Sequence, residues 1–230
     1  MLKFTFVLLF LFAITGGYFS IMGIQFNNLH AQSNDDVLEI ITQLENNSMT
    51  PTLGNPNANI TVIEFGDYQC IHCANFNKDQ KDLLLSNYNQ TGIAKFLFKD
   101  FPINDQNNGM STLAARATYC AAEQDKYWEY HDEIFRNHDN RQDGKIQRND
   151  LDNYAKQVSI ADIEQFRNCL ESNKYSDIVV ENNRLAQQLN ITSTPTFVVY
   201  SKNDTQLTVV KGVDNHTQLE GARLMELVSN

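Results

Sequence analysis

The sequence is short of positive charge. Its 18 Lys and Arg residues are outnumbered by 28 Asp and Glu residues, which gives a net charge of -10. It has no run of basic residues and no basic stretch interleaved with aromatics. Nonspecific binding to nucleic acid or to an anionic membrane surface depends on such patches. The composition therefore argues against both partners and indicates a solvated acidic surface.

Proline and glycine are also scarce, with 4 and 10 residues, whereas 42% of the chain is hydrophobic and 20% is charged. A chain of 230 residues with this composition buries a core and is not disordered by default. We expect one globular domain with room for an inserted lobe.

Charged residues are absent from Phe4 to Ile24, and Lys3 precedes this run. About 20 apolar residues can span a bilayer. Leu29-His30-Ala31 is a poor cleavage site, so residues 1–31 are predicted as an uncleaved membrane anchor, with a cleaved signal peptide as the alternative. A core helix is a third interpretation. The first two place the remaining chain outside the cytoplasm, membrane-anchored or secreted, where disulfides persist.

Only two of the four cysteines form a close pair, in the motif Cys70-Ile71-His72-Cys73. The motif follows the apolar run Ile60–Phe65 and precedes a helical pattern that begins near Ala74. Backbone N–H groups at the start of a helix stabilise a thiolate, and His72 can add an imidazolium or a ring N–H. We therefore predict that Cys70, Cys73 and His72 carry thiol–disulfide chemistry.

Two other interpretations of this motif stay open. Zinc would need two more ligands, and neither Cys120 nor Cys169 belongs to a second close pair. A purely structural disulfide here would close a very short loop, which removes little chain entropy. We expect no metal and no cofactor, since a dithiol itself carries electrons.

Glu64 is a polar residue inside the apolar run before the motif. Burial under the dithiol would raise the pKa of this carboxyl, which could then exchange a proton with Cys73 as the disulfide opens. Because alternation does not settle which face Glu64 occupies, an exposed strand position is the alternative.

Hydrophobic periodicity predicts the remaining elements. Residues 32–50 are predicted to be a tether helix and linker, and residues 51–230 the catalytic domain. Two strands and the helix between them form a parallel unit, which is followed by continuous helix over about 106–182. The predicted strands and later helices are Ile60–Phe65, Ile93–Phe98, Glu181–Leu189, Thr196–Tyr200, Leu207–Lys211 and Thr217–Val228.

Cys120 and Cys169 both fall on apolar helical stripes. In an exported protein two such cysteines can bridge, which closes a loop of about 50 residues and contributes roughly 4 kcal/mol in the chain-entropy model. Two buried free thiols and a second redox pair are the alternatives.

Pro195 follows Thr194 and precedes an apolar strand. Proline is unwelcome inside a ladder, so a cis bond leading into the strand is one possibility and a trans proline at a strand edge is the other.

Four blocks, in order, resemble the DsbA-like thiol–disulfide oxidoreductases of the thioredoxin superfamily. They are Glu64 to Cys73, Phe98-Lys99-Asp100-Phe101-Pro102, the segments around Cys120 and Cys169, and Thr194-Pro195-Thr196-Phe197. The resemblance covers the chain from about Thr52 onward. It implies an α/β thioredoxin fold with an inserted helical subdomain, preceded by the N-terminal hydrophobic segment.

The resemblance also implies residue roles. Cys70 would be the nucleophile, Cys73 the buried resolving cysteine and Glu64 the acid beneath them. Thr194-Pro195 would be a cis-proline loop that faces the dithiol and binds substrate, and Cys120–Cys169 a structural disulfide of the insertion. Many relatives carry proline where this chain has Ile71, which leaves the redox potential open.

The function implied is the introduction of disulfides into exported, cysteine-containing proteins, with a membrane quinone-linked partner as reoxidase. A disulfide reductase or isomerase on the same fold is the first alternative. A noncatalytic peptide-binding chaperone module is the second, although the presence of both Cys70 and Cys73 argues against it.

Overall fold

The fold is built on a five-stranded mixed sheet. A computed structural model describes residues 34–46, 51–82, 84–85, 93–105, 109–140, 145–203 and 206–211. The strand order is β1-β3-β2-β4-β5, in which β2 and β3 are parallel and all other neighbours are antiparallel. The strands are β1 Leu53–Gly54, β2 Ile60–Gly66, β3 Ala94–Asp100, β4 Thr196–Ser201 and β5 Gln206–Lys211.

Helices and one 3-10 turn accompany the sheet in the described part of the chain. The helices are α1 Asn34–Asn46, α2 Ile71–Asp79, α3 Met110–Ala122, α4 Tyr127–Arg136, α5 Arg148–Gln157, α6 Ile163–Glu171 and α7 Ser176–Gln188. The 3-10 turn is His138–Asn140. We call α3 to α6 the helical lobe.

Strand β2 lies at the centre of the sheet, and all seven of its residues are buried. A strand that is covered on both faces reads as a nearly continuous apolar run, as this one does. Its alternate residues face opposite layers. Ile63 and Phe65 pack with α1 and α7, whereas Ile60 and Val62 pack with Phe76 of α2. The strand that leads to the cysteine motif is therefore fixed from both sides.

Helix α1 belongs to the core. Its apolar spacing predicts an amphipathic tether, but Ile40, Ile41 and Leu44 are buried against β2, β3, β4 and α7. Leu44 has no exposed surface. The helix therefore covers one face of the sheet in addition to linking the domain to the preceding residues.

The segment predicted to be helical over 106–182 is largely helical in its described part, where it divides into separate helices. Non-glycine residues with positive φ follow the ends of α3, α5, α6 and α7, namely Asp125, Ser159, Asn173 and Asn190. Backbone bonds from Lys126 to Ala121, Ile160 to Ala155 and Ile191 to Ala186 close three of these ends at 2.9–3.0 Å. This is the Schellman type of helix ending, for which glycine is the usual signal.

Other boundaries differ less. Helix α2 starts at Ile71, three residues before the predicted start, and α7 starts at Ser176, five residues before its predicted start. Strand β1 was not predicted, because two residues carry no periodicity. The predicted leader over 1–31 and the predicted final helix lie outside the described residues. Of the helices in the described part of the chain, none combines the length and apolar character needed to cross a bilayer.

We predict that Leu44→Ala lowers the free energy of unfolding by about 2–5 kcal/mol, because it opens a cavity between α1 and the sheet. Glu39→Ala is the matched control on the exposed side of the same helix and should change stability by less than about 0.5 kcal/mol. Denaturant unfolding of the full chain measures both. Equal, small effects would mean that α1 is only a tether.

Candidate active site

The cysteine motif sits where β2 ends and α2 begins. Cys70 is the residue that caps α2, with extended backbone angles, φ -83° and ψ 121°. Its N–H donates to the carbonyl of Asp67 at 2.9 Å, and its own carbonyl accepts from Ala74 at 3.1 Å. The Cys70 sulfur therefore lies at the N-terminus of the helix, where N–H groups have no partner within the helix.

A buried carboxylate fixes the turn before the motif. Asp67 is 1% exposed and accepts hydrogen bonds from the backbone N–H groups of Gln69 (2.8 Å) and Asn104 (2.7 Å) and from the Ser111 hydroxyl (2.7 Å). Burial nevertheless raises the pKa of Asp67 above its ordinary value. These bonds connect the turn to the loop after β3 and to the start of α3.

Gln69 extends this connection to the far side of the helical lobe. Its side-chain N–H donates to Ser111 at 2.9 Å, while its side-chain oxygen accepts from the backbone of Ile146 at 3.1 Å. Its carbonyl lies 3.4 Å from Nε2 of His138. The residue adjacent to Cys70 thus contacts three segments of the lobe. Sequence reasoning missed the positioning roles of Asp67 and Gln69, whose one signal was two polar residues just before the motif.

The environment of Cys70 favours its thiolate. Its pKa falls from 9.0 to about 6, first because the Cys73 thiol donates to it. The Thr194 side chain and the backbone N–H groups of Cys73 and His72 lower the pKa further, against the opposing effect of burial. His72 contributes here through its backbone amide, and the role predicted for its imidazole stays a prediction.

Cys73 has the opposite character. It has no exposed surface, and burial together with the neighbouring Cys70 raises its pKa well above 9.0. Both thiols are free in this structure. The pair can therefore hold one negative charge on Cys70 and one proton on Cys73 at neutral pH.

Glu64 lies beneath the dithiol and is only 1% exposed. In the sheet it stands between Phe98 of β3 and Phe197 of β4, on the face that packs with α2. Burial raises the pKa of Glu64 well above 4.5, with a further rise from the Cys70 charge, while Lys81 and the Cys73 thiol oppose the rise. The exposed alternative for Glu64 is excluded.

Gly66 leaves room for this carboxyl. A Cβ at Gly66 would lie 3.1 Å from Oε1 of Glu64 and would overlap the ring of Phe98. With no side chain at this position, the Phe98 ring can pack beside Glu64. A larger residue would displace both.

The loop before β4 faces the dithiol from the other side. The Thr194–Pro195 peptide bond is cis, and the Cys70 thiol donates to the Thr194 carbonyl at 3.4 Å. The fold therefore brings together residues 124 positions apart in sequence.

Cys120 and Cys169 form a disulfide that joins α3 to α6, with their Cα atoms 5.8 Å apart. Because the two sulfurs are bonded to each other, neither is a free partner for Cys73. Within the described residues, no group of three or more His, Cys, Asp or Glu side chains is arranged to hold a metal ion.

Comparisons with known proteins agree with this geometry. The family model described as Thioredoxin matches residues 46–214. Disulfide bond formation protein D of Bacillus subtilis is 27% identical over 152 residues, which cover 66% of this chain and 68% of that protein.

Two solved structures are similar over most of this chain. BdbD from Bacillus subtilis, in its oxidised form, is 26% identical with a TM-score of 0.63, covering 79% of this chain and 93% of that one. A thioredoxin-like oxidoreductase from Silicibacter pomeroyi DSS-3 is 27% identical with a TM-score of 0.63, covering 81% and 96%. These comparisons confirm the mixed α/β, thioredoxin-like fold.

We predict that alkylation of Cys70 in the reduced protein follows a titration with a midpoint near pH 6, because only the thiolate reacts. Below the midpoint the sulfur is protonated and the rate falls tenfold per pH unit. Cys73→Ala should raise the midpoint, since it removes the largest stabilising contact.

The rate of iodoacetamide modification, followed by mass spectrometry, measures this titration. Cys120 and Cys169 remain disulfide-bonded and do not react, so the signal is that of the dithiol. A midpoint near 9.0, unchanged by Cys73→Ala, would contradict the proposed stabilisation.

Proposed function

Because the chain belongs to the thioredoxin family and is a DsbA-like thiol–disulfide oxidoreductase, we propose that it introduces disulfides into exported, cysteine-containing proteins. The observation that carries this proposal is the opposite character of the two thiols. Cys70 is stabilised as a thiolate at the N-terminus of α2, whereas Cys73 is buried as a thiol. A stabilised thiolate favours the reduced enzyme and so makes its disulfide an oxidant.

The first step opens the enzyme disulfide. A substrate thiolate attacks Cys70 Sγ of the oxidised pair, the Cys70–Cys73 bond breaks, and Cys73 leaves with the bonding electrons. Cys73 sits in an apolar environment that disfavours its anion, so it takes a proton from Glu64. The product of this step is a mixed disulfide between Cys70 and the substrate.

The second step releases the product. A second substrate thiolate attacks the substrate sulfur of the mixed disulfide, and Cys70 leaves as a thiolate. The substrate has then lost two electrons, which reside on the enzyme dithiol. The substrate thiols release two protons. One of them reprotonates Glu64, which has given its own proton to Cys73. The other enters solvent, because Cys70 stays ionised.

The shift at Cys70 has a calculable effect on the potential. At pH 7, lowering the thiol pKa from 9.0 to about 6 stabilises the reduced form by about 1.4 kcal/mol. For a two-electron couple this raises the reduction potential by about 30 mV. The buried Cys73 thiol does not offset this gain at neutral pH, since it remains protonated.

Two features support a site of action outside the cytoplasm. The Cys120–Cys169 disulfide suits an oxidising compartment. The apolar run from Phe4 to Ile24 suits an export signal or anchor over residues 1–31. A membrane quinone-linked partner would reoxidise the dithiol, and an anchored catalytic domain over 51–230, with its helical insertion at about 106–182, would stand close to it.

A reductase or isomerase on the same fold would need a less oxidising dithiol and a source of electrons. We therefore predict a reduction potential well above the thioredoxin value of about -270 mV. Equilibration of the Cys70–Cys73 pair with glutathione, with Cys120 and Cys169 left native, measures it. A thioredoxin-like value would favour reduction or isomerisation instead.

We predict that Cys70→Ser abolishes oxidation of a reduced model protein, because it removes the sulfur that substrate attacks. In Cys73→Ser, the Cys70 thiolate can still attack the disulfide of the oxidised model protein, which releases one substrate thiolate, and the mixed disulfide should accumulate because the thiol that would resolve it is missing. Non-reducing electrophoresis distinguishes the two variants. Activity that survives Cys70→Ser would revive the noncatalytic peptide-binding interpretation.

A further inference from the structure

A line of polar residues runs along the inner side of α2 and its continuation. Cys73, Asn77 and Lys81 are spaced four residues apart, and they are 0%, 8% and 2% exposed. Side chains four residues apart share one helix face. The backbone keeps the helical spacing across Gln80, whose N–H donates to Phe76 and whose carbonyl accepts from Leu84. Two polar side chains are therefore buried directly after the resolving cysteine.

Asp132 of α4 binds both of them. Its Oδ1 forms an ion pair with Lys81 and accepts from Asn77 at 3.0 Å. The same oxygen lies 3.0 Å from Nδ1 of His131. His131, Lys81 and Asn77 together lower the pKa of Asp132 against its burial, so it is an anion.

His131 adds no charge to this cluster at neutral pH. It is completely buried among aromatic rings, the nearest of which is Phe98 with a centroid distance of 4.6 Å. Burial lowers its pKa to about 4. The neutral ring can donate from Nδ1 to Asp132, while its Nε2 has no hydrogen-bond partner among the described residues.

Lys81 is thus a buried cation with a fixed position. In addition to its ion pair with Asp132, its Nζ lies 5.8 Å from the centroid of the Trp128 ring. Burying a cation costs more free energy of desolvation than burying an apolar residue of the same size. A buried lysine therefore calls for a functional or structural explanation. The ion pair with Asp132 explains how Lys81 is tolerated but not what it does.

The position of Glu64 suggests what the Lys81 charge does. The carboxyl lies on the face of the sheet that packs with α2, beside Cys73, and the charge of Lys81 is the largest influence that opposes the effect of burial on it. When Glu64 gives its proton to Cys73, it becomes an anion in an apolar layer. Among the described residues, Lys81 is the one cation that acts on Glu64 there.

We propose that Lys81, anchored by Asp132, is a positioning residue whose charge favours proton transfer from Glu64 to Cys73 as the disulfide opens. This inference rests on the proposed function. No further oxidant or reductant is required, since Lys81 changes neither its bonds nor its proton. The groups that face it are Asn77 from α2, Trp128, His131 and Asp132 from α4, and Glu64 from β2 below the Cys70–Cys73 pair.

The test measures the rate at which glutathione opens the oxidised Cys70–Cys73 disulfide. Samples are quenched and alkylated at each time point. The rate constant at each pH is then divided by the concentration of glutathione thiolate. In the unmodified chain this corrected rate should fall at high pH as Glu64 loses its proton. Lys81→Met removes the cation and raises the pKa of Glu64. We expect the corrected rate at the low-pH plateau to drop on the order of tenfold, as for loss of a nearby charge in a protein interior. The pH at which the corrected rate begins to fall should move upward.

Matched variants separate this effect from misfolding. Lys78→Met removes an equal charge from the same helix, where the side chain is partly exposed and pairs with Asp139, and should leave the profile unchanged. Lys81→Arg keeps the charge and should restore the limb. Should Lys81→Met unfold because Asp132 is left unpaired, the double variant Lys81→Met/Asp132→Asn removes both charges and should shift the limb in the same direction, by less than Lys81→Met because the anion is lost with the cation.

Glu64→Gln tests whether Lys81 acts through Glu64. It should abolish the falling limb, and Lys81→Met should then have no further effect in that background. A Lys81→Met effect that persists in the Glu64→Gln background, or an unshifted limb in the folded Lys81 variants, overturns the inference. Failure of the proposed function looks different, because glutathione would then open the Cys70–Cys73 pair of the unmodified chain no faster than an ordinary solvent-exposed disulfide.

Discussion

The negative charge on the Cys70 sulfur is the interaction on which the site depends. It exists because α2 begins one residue after Cys70, so that backbone N–H groups of the first turn and the Cys73 thiol converge on one sulfur. Shifting the helix start would remove those donors and leave an ordinary thiol. The hydrogen bonds of Asp67 and Gln69 matter for this reason, since they hold the turn that determines where α2 begins.

The same local arrangement forces a proton onto Cys73. The sulfur one turn further along the helix is fully buried, next to a thiolate and a carboxyl, and each of these disfavours a second negative charge. A dithiol with equal environments would share its charge and discriminate poorly between the attacked and the departing sulfur. Burial of one sulfur and N-terminal placement of the other thus separate the two roles without any cofactor.

Much of this could be read from the sequence, and the limits have physical causes. The central strand, the helix start signalled by Cys70-Ile71-His72-Cys73 and the amphipathic stripes are all local patterns, and their positions agree with the structure within a few residues. Three helix ends inside the lobe could not be read, because Asp125, Ser159 and Asn173 adopt a backbone conformation for which glycine is the usual signal. Contacts between residues far apart in the chain also could not be predicted from the sequence. Periodicity could not place Glu64 on a face, since β2 is buried on both sides and the alternation that would mark a solvent face is absent. Nor could spacing reveal that Asp132 meets Asn77 and Lys81, which lie more than fifty positions away in sequence.

These pairings show that the helical lobe is more than an addition to the sheet. The sheet and α2 supply Glu64, the two cysteines and the loop at Thr194, while the lobe contacts the turn before Cys70 and pairs with Lys81. Ile146 holds Gln69 beside the motif, and Asp132 holds the buried ion pair under α2. The Cys120–Cys169 bridge ties α3 to α6 within this lobe. A change deep in the lobe should therefore be felt at the dithiol through the turn before Cys70 and through the charge beside Glu64, two routes that approach the site from opposite ends of α2.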